Sequence, residues 1–205
     1  MVGKGERTKA EIVRKSADLF NRQGFLSAPL SAVIETTGIQ KGGLYRHFES
    51  REALAHAAFQ HAVGEIAARF HAALSRKANA CDKLLALLES YSGDETVAPL
   101  PGGCPIMNGA IESDHADEAL RRHAQGAMSR WRDLLAGVVE AGQKAGEIRA
   151  DADADDIAIV FIAAIEGGVM MTQLYRNAQP LQAVRRHLQA YVEENLRTKS
   201  MGDGA

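Results

Sequence analysis

The sequence TTGIQKGGLYRHFES, residues 36–50, decides the fold of the N-terminal part of the chain. Its two adjacent glycines, Gly42 and Gly43, weaken a helix by about 1 kcal/mol each relative to alanine. They are followed by Leu44 and Phe48, whose spacing of four residues is helical. A helix that carries this cost usually needs its backbone to approach another molecule closely. The stretch therefore predicts a short helix whose N-terminal end meets a binding partner.

The composition favours an all-α protein. The chain has 205 residues, of which 46% are hydrophobic and only 5% aromatic, and it contains five prolines. Such a balance is typical of helical proteins with a real core. Residues 1–52 carry nine Lys/Arg against six Asp/Glu, a net charge of +3, whereas the rest of the chain has a net charge of −5. A basic N-terminal part on an acidic body indicates an anionic partner.

No targeting or membrane signal is visible in the sequence. The longest apolar run, residues 157–174, is interrupted by Glu166 and two glycines, so we interpret it as a buried helix. Cys81 and Cys104 are too few and too far apart for a disulfide framework or a zinc site. The histidines show no tight ligand pairing. We therefore expect a cytoplasmic protein with no membrane partner, no metal and no cofactor.

Helical periodicity predicts three helices before residue 50. The first ends at Gly24, which suits a left-handed C-cap. The second covers Pro29 to Thr37, and Gly38 makes the following turn. The third runs from about residue 41 to residue 48, with Gln40 as its N-cap. Two short helices joined by a glycine turn and preceded by a third are the parts of a helix-turn-helix.

The remaining chain is also predicted to be helical. Ser50 is a good N-cap for a long fourth helix. The other expected elements are a helix near residues 81–91, a loop at 92–103, a short helix opening at Pro105, a long amphipathic helix around Trp131, helices near 155–175 and 181–197, and a disordered tail at about 198–205.

Residues at the start of the third helix have the chemistry needed to read DNA. The second helix of a helix-turn-helix enters the major groove with its N-terminal residues towards the bases. Lys41 can neutralise a phosphate, and the amide of Gln40 can pair with a base edge. Tyr45 and His47 add polar tips, although His47 is as well suited to packing. Arg46 could equally be a solvated charge.

Several fixed spacings in this region agree with one known family. TTGIQKGGLYRHFESREAL, with the upstream IVRKSADLFNRQGF, resembles the DNA-binding signature of the tetracycline-repressor (TetR) family of bacterial regulators over residues 8–54. The resemblance implies an all-α homodimer that represses transcription and is released by a small molecule. It divides the chain into an N-terminal three-helix helix-turn-helix domain (residues 1–50, the head) and a C-terminal helical ligand-binding and dimerisation domain (residues 51–205).

The resemblance also implies the site residues. The expected contacts to double-stranded DNA are Thr8, Ser31, Gln40, Lys41, Gly42, Gly43, Tyr45, Arg46 and His47. The family often has Thr or Ser where this chain has Ala28 and Pro29, so Ser27 or Ser31 would have to replace a helix cap and phosphate contact. A Ser often stands at the position of Gln40, which predicts a weaker cap and a different readout.

The C-terminal part offers candidates for an apolar or aromatic effector site and for the dimer interface. The expected effector-site residues are Tyr91, Cys104, Met107, Trp131, Phe161 and Met170, each of which could instead be plain core. Helices 155–175 and 181–197 of two subunits are expected to form the homodimer interface. Glu166, beside two glycines, could face a cation, bond across that interface or mark close helix packing.

Three other interpretations were open. Cys104 lies next to the N-terminus of the helix that Pro105 opens, where the helix dipole favours a thiolate, so the protein could instead be an electrophile- or redox-sensing repressor. Cys104 with His115 could be imagined as a nucleophile and base, but no orienting acid or catalytic motif is present, and we expect no enzyme. The third alternative is a DNA-binding protein without a ligand.

Overall fold

The computed structural model describes residues 3–91 and 102–198. All regular secondary structure in these residues is helical, apart from a single antiparallel bridge between Ile148 and Arg197, so the all-α prediction is confirmed. The helices are α1 (Lys4–Gln23), α2 (Leu30–Thr37), α3 (Lys41–Leu44), α4 (Arg51–Ser75), α5 (Ala80–Glu89), α6 (Pro105–Ser113), α7 (Glu118–Lys144), α8 (Ala154–Tyr175) and α9 (Gln179–Tyr191), followed by a π-helical turn (Val192–Leu196).

Glycines end the first two helices, as expected. Gly24 has a φ of 98° and donates its N–H to the carbonyl of Phe20, but its ψ of 137° is not that of the expected left-handed C-cap. Gly38, with a φ of 73° and a ψ of 12°, is left-handed. Both φ values favour glycine over residues with a Cβ. Helix α2 begins one residue later than predicted, because Pro29 is its N-cap and not its first residue.

Helix α3 is shorter than the predicted span of residues 41–48. It ends at Leu44, after which His47 donates to the carbonyl of Leu44 in a tighter i−3 bond. Phe48 then donates to the same carbonyl, so one helical bond survives beyond the turn. The two glycines in this four-residue helix explain its early end, since glycine is a poor helix former.

The chain divides into two compact units, each with a core of its own. The first contains residues 1–66 and 98–128. Its core has Phe25 between two other rings, at a centroid distance of 6.3 Å from Phe20 and 5.3 Å from Phe59. All three rings are at most 1% exposed, and burial of each side chain stabilises the fold by about 2–3 kcal/mol.

The second unit contains residues 67–97 and 129–205. Helix α8 packs closely on α9, because a Cβ at Gly168 would lie only 3.1 Å from side-chain atoms of Leu181 and Val184. Close helix packing was one of the three interpretations of the Glu166 region, and this glycine supports it. Glu166 itself is buried, with 6% exposure.

The C-terminus is ordered slightly further than expected. The Arg197 guanidinium binds Asp82 at 2.7 Å and Glu193 at 2.6 Å. Thr198, which the sequence predicts to lie in the disordered tail, donates its N–H to the carbonyl of Glu147 at 3.1 Å and its hydroxyl to the carbonyl of Gly146 at 2.6 Å. These bonds correct the prediction at this residue. The rest of the expected tail and most of the expected loop at 92–103 lie outside the described residues.

Among the described residues, only α8 is long and apolar enough to span a membrane, and half of its most apolar window is buried inside the structure. The core helices of other proteins share this pattern. One face of α8 remains exposed in the single chain. Its large exposed side chains are Ile159, Val160, Met170, Met171, Leu174 and Tyr175.

Candidate DNA-binding surface and effector-site residues

The recognition stretch (residues 40–47) is held by its apolar side and presents its polar side to solvent. Leu44 is fully buried and Phe48 is 5% exposed, so these two side chains fix the stretch to the rest of the head. Gln40, Lys41 and Arg46 are exposed. The surface of this stretch is therefore polar and positively charged.

Lys41 and Arg46 have no acidic partner within the described part of the chain. In contrast, Arg14 and Lys15 of α1 both lie within ion-pair distance of Glu11, at 2.8 and 3.7 Å. A cation that lacks an internal partner is available to neutralise phosphate without first breaking an ion pair. The two basic residues of the recognition stretch meet this condition.

Different structural features explain why glycine stands at each of the two positions in the recognition stretch. A Cβ at Gly42 would meet no atom within 4 Å, so this position is open to a partner. A Cβ at Gly43 would lie 2.9 Å from Cγ2 of Ile39, so glycine is needed there for packing inside the head. The expectation of close approach to DNA therefore applies to Gly42, whereas Gly43 has an internal explanation.

Gln40 is the N-cap of α3, but its side chain makes no capping hydrogen bond, which agrees with the expected weak cap. Tyr45 is 43% exposed, and His47 is half-buried. A basic residue that sequence reasoning did not select lies nearby, since the Lys9 ammonium is 5.5 Å from the ring centre of Phe48. Its position in α1, next to Thr8, was the available signal.

The structure also shows where the residues outside α3 that are expected to contact DNA lie. The Thr8 hydroxyl donates to the carbonyl of Lys4 within α1, at 3.1 Å. Ser31 is exposed in the first turn of α2, where it is free to meet a phosphate. Ser27 does not replace the missing cap of α2, because its hydroxyl donates to the carbonyl of Gln23 at 2.8 Å.

Two of the expected effector-site residues belong to one aromatic cluster of the second unit. The ring centre of Phe70 lies 5.4 Å from that of Trp131 and 5.7 Å from that of Tyr91. Trp131 is 4% exposed, and its buried indole N–H has no hydrogen-bond partner among residues 3–91 and 102–198. Helical spacing places Phe70 on an apolar side of α4 but does not show which distant rings meet it.

The other candidates do not join this cluster. Phe161 is fully buried, and its ring lies 6.5 Å from that of Tyr191. Met170 is 49% exposed on the surface of α8, because the helical phase turns it away from the core. This placement corrects the expectation that Met170 lines an internal pocket.

Cys104 and Met107 belong to the first unit, at the start of α6. Cys104 is the N-cap of this helix, as predicted, but it is only 4% exposed. Met107 is half-buried. Both cysteines of the chain are in the thiol form. Cys81, in the second unit, is fully buried, and burial raises the pKa of its thiol.

The imagined pairing of Cys104 with His115 has no support in the geometry. The two residues flank α6, whose nine residues rise about 13 Å along the helix axis. The His115 side chain is 94% exposed and lies next to Asp114. No group of three metal-ligating side chains occurs in residues 3–91 and 102–198.

Both the N-terminal and the C-terminal part of the chain are similar to known proteins. Residues 12–58 match the family model of bacterial regulatory proteins of the tetR family, and residues 80–188 match that of the tetracyclin repressor-like C-terminal domain. A solved TetR transcriptional regulator from Chloroflexus aurantiacus J-10-FL is 38% identical, with a TM-score of 0.90 over 96% of this chain and 99% of that one.

Two further relatives extend this agreement. A solved TetR-family regulator from Cytophaga hutchinsonii is 29% identical, with a TM-score of 0.91 over 98% of this chain and all of that one. The HTH-type transcriptional repressor DhaR of Mycobacterium sp. strain GP1 is 24% identical over 174 residues, which are 84% of this chain and 86% of DhaR.

Proposed function

The chain belongs to the TetR family of DNA-binding transcriptional regulators, and from this premise we propose that it is a homodimeric repressor released from its operator by a small molecule. The operator is an inverted repeat, because two recognition helices related by a two-fold axis read two half-sites about one helical turn apart. The observation that carries the proposal is the exposed recognition stretch, in which Lys41 and Arg46 have no acidic partner among the residues that the structure describes.

The exposed face of α8 supports dimerisation. It combines large apolar side chains, such as Leu174 with 71% exposure, with Gly167, whose missing Cβ faces open space. Large exposed apolar patches mark interaction sites, and glycine allows a partner helix to approach closely. We therefore place the dimer interface on α8 and α9, within residues 155–175 and 181–197.

The aromatic cluster of Phe70, Tyr91 and Trp131 supports an apolar or aromatic effector. Aromatic rings supply large contact surfaces. The indole N–H of Trp131, for which no described residue is a partner, would donate to an oxygen of the effector. An effector that binds better to a dimer with altered spacing of the heads shifts the population away from the DNA-bound form. The site of action is the bacterial cytoplasm.

Thiol sensing through Cys104 is the second candidate. Its favourable observation is the position of Cys104 at the N-cap of α6, and its unfavourable one is the 4% exposure of the residue. N-ethylmaleimide would label Cys104 rapidly in the native protein and release the operator if this candidate were correct. A Cys104→Ser variant that still responds to the reagent would exclude it.

Selection from a random DNA library with the purified protein tests the main proposal. Enrichment of an inverted repeat is expected, and the enriched sequence then serves as the probe for an effector screen. Salt-sensitive binding without enrichment would instead indicate the ligand-independent alternative, in which the head grips only phosphates.

A further inference from the structure

Helix α6 and the residues before it pack closely against the head and the first half of α4. A Cβ at Gly102 would lie 2.4 Å from the backbone oxygen of Asn21, at the end of α1. A Cβ at Gly109 would lie 2.5 Å from the ring of Phe59 in α4, and one at Gly24 would lie 2.7 Å from the carboxylate of Glu112. At Gly102 the Cβ would meet backbone atoms and φ is 94°, so glycine is required there. At Gly109 and Gly24 the Cβ would meet side chains, so these contacts with residues 21–59 are close.

Glu112 of α6 bonds directly to the turn between α1 and α2. Its Oε1 accepts the N–H of Phe25 and its Oε2 accepts the N–H of Leu26, each at 3.0 Å. One carboxylate therefore accepts from two backbone N–H groups that no helix satisfies, and these lie 87 and 86 positions earlier in the chain. Bonds to a charged acceptor are stronger than those between neutral groups.

An amide pair extends the contact to the end of α1. Asn21, which is 4% exposed, donates its side-chain N–H to the carbonyl of Gly103 at 2.8 Å. The Asn108 side chain donates to the side-chain oxygen of Asn21 at 3.1 Å and to the carbonyl of Gly102 at 2.9 Å. We call Asn21, Asn108 and Glu112 with these partners the α6 clamp.

The division of the chain into two units also associates α6 with the head. Residues 98–128, which include α6, group with residues 1–66 and not with residues 67–97 or 129–205. By sequence, α6 is separated from the head by the whole of α4 and α5. Its membership of the head's unit therefore depends on tertiary contacts, and the α6 clamp supplies polar ones with defined geometry.

We propose that Asn21, Asn108 and Glu112 are positioning residues for operator binding, which hold the α1–α2 turn and thereby preset the orientation of the recognition stretch. The proposal rests on the proposed function of the chain as an operator-binding repressor. A preset head binds DNA more tightly than a loose one, because less freedom is lost on binding. None of the three side chains has to touch DNA for this effect.

The first test compares Glu112→Ala with the matched control Asp114→Ala, which removes an exposed carboxylate two residues away. The affinity for the selected operator is measured by fluorescence anisotropy at one salt concentration. We expect about a tenfold loss for Glu112→Ala, within the range usual for coupling between sites, and no change for the control. Glu112→Gln keeps one acceptor oxygen and should recover part of the affinity.

Hydrogen exchange supplies a readout that a general loss of stability would not give. In Glu112→Ala the amides of Phe25 and Leu26 should exchange faster, whereas those of α4 should keep their protection. By reciprocity, operator DNA should slow exchange in residues 102–113 of the wild-type protein, and this effect should disappear in the variant. If Glu112→Ala fails to fold, Asn108→Ala, at a half-buried site, is measured in the same way.

Two results would overturn the α6 clamp as a positioning device. One is operator affinity within twofold of wild type after loss of the clamp. The other is protection of residues 102–113 by DNA that persists in Glu112→Ala. A wild-type protein that selects no operator would refute the proposed function itself, and that outcome is distinguished by the selection experiment before any variant is made.

Discussion

Substitution of Leu174 by Glu on the exposed face of α8 should separate the proposed dimer without unfolding the subunit. Leu174 is 71% exposed in the single chain, so an interface that covers it would bury about two-thirds of the side chain. Full burial of a leucine is worth about 1.5–3 kcal/mol. A two-fold interface contains the residue twice, and the loss of both side chains therefore costs about 3 kcal/mol.

This loss corresponds to roughly a hundredfold increase in the dimer Kd. Burial of the two new carboxylates adds a further desolvation cost in the same direction. Sedimentation velocity from nanomolar to micromolar concentrations measures the change, and circular dichroism checks that the thermal midpoint of the monomer is kept. A Leu174→Glu protein that remains dimeric over the whole range would refute the interface.

Leu188→Glu is the contrasting control for this experiment. Leu188 lies on α9 but is only 2% exposed, so it belongs to the core of the subunit itself. A charge there should unfold the protein, since an unpaired buried carboxylate costs several kcal/mol. Loss of the dimer with a folded subunit would assign Leu174 to an interface between subunits, whereas unfolding would assign Leu188 to the core within one subunit.

Two further predictions concern the head's unit. Lys41→Ala should weaken operator and random DNA about equally and lower the salt slope of binding by about 1, whereas Lys144→Ala should not; anisotropy titrations at several salt concentrations measure both. Burial would raise the pKa of Asp117, but hydrogen bonds from the Leu120 N–H and from His56 at 2.7 Å outweigh it and hold that pKa below its ordinary value. A carboxyl whose pKa is lower in the folded than in the unfolded state stabilises the fold at pH values above its unfolded-state pKa. The contribution of Asp117 is therefore present at pH 7 and is lost as the pH falls below about 4. Urea unfolding should show Asp117→Asn to be less stable by about 1 kcal/mol at pH 7, with the difference disappearing in acid; an equal deficit at both pH values would contradict this explanation.

The head could be predicted from sequence because its signals are local. Gly24 and Gly38 end their helices at the predicted places, since a positive φ is a property of a single residue. The predicted length of α3 is wrong because the helical spacing of Leu44 and Phe48 does not show where a helix ends. Leu44 and Phe48 do both pack inside, but a turn and not a continuous helix joins them, because two glycines weaken the segment.

The α6 clamp could not be predicted from sequence. Asn21 and Asn108 lie 87 positions apart, and polar side chains leave no periodic pattern by which such a pair could be recognised. The same limit applies to the aromatic cluster. The spacing along α4 shows that Phe70 faces a core, but only the fold determines that Trp131 and Tyr91 meet it there.

Helix α8 shows why an apolar sequence does not by itself locate a pocket. Because its residues are apolar nearly all round, the sequence gives no helical phase, and Phe161 and Met170 looked equally internal. In the structure Phe161 is fully buried, whereas Met170 is half exposed beside Met171 and Leu174. A helix in a stable subunit needs apolar cover on only one side, so the second apolar side requires a further explanation. A second copy of the same helix explains it with no additional partner, and Met170 then belongs to the proposed interface.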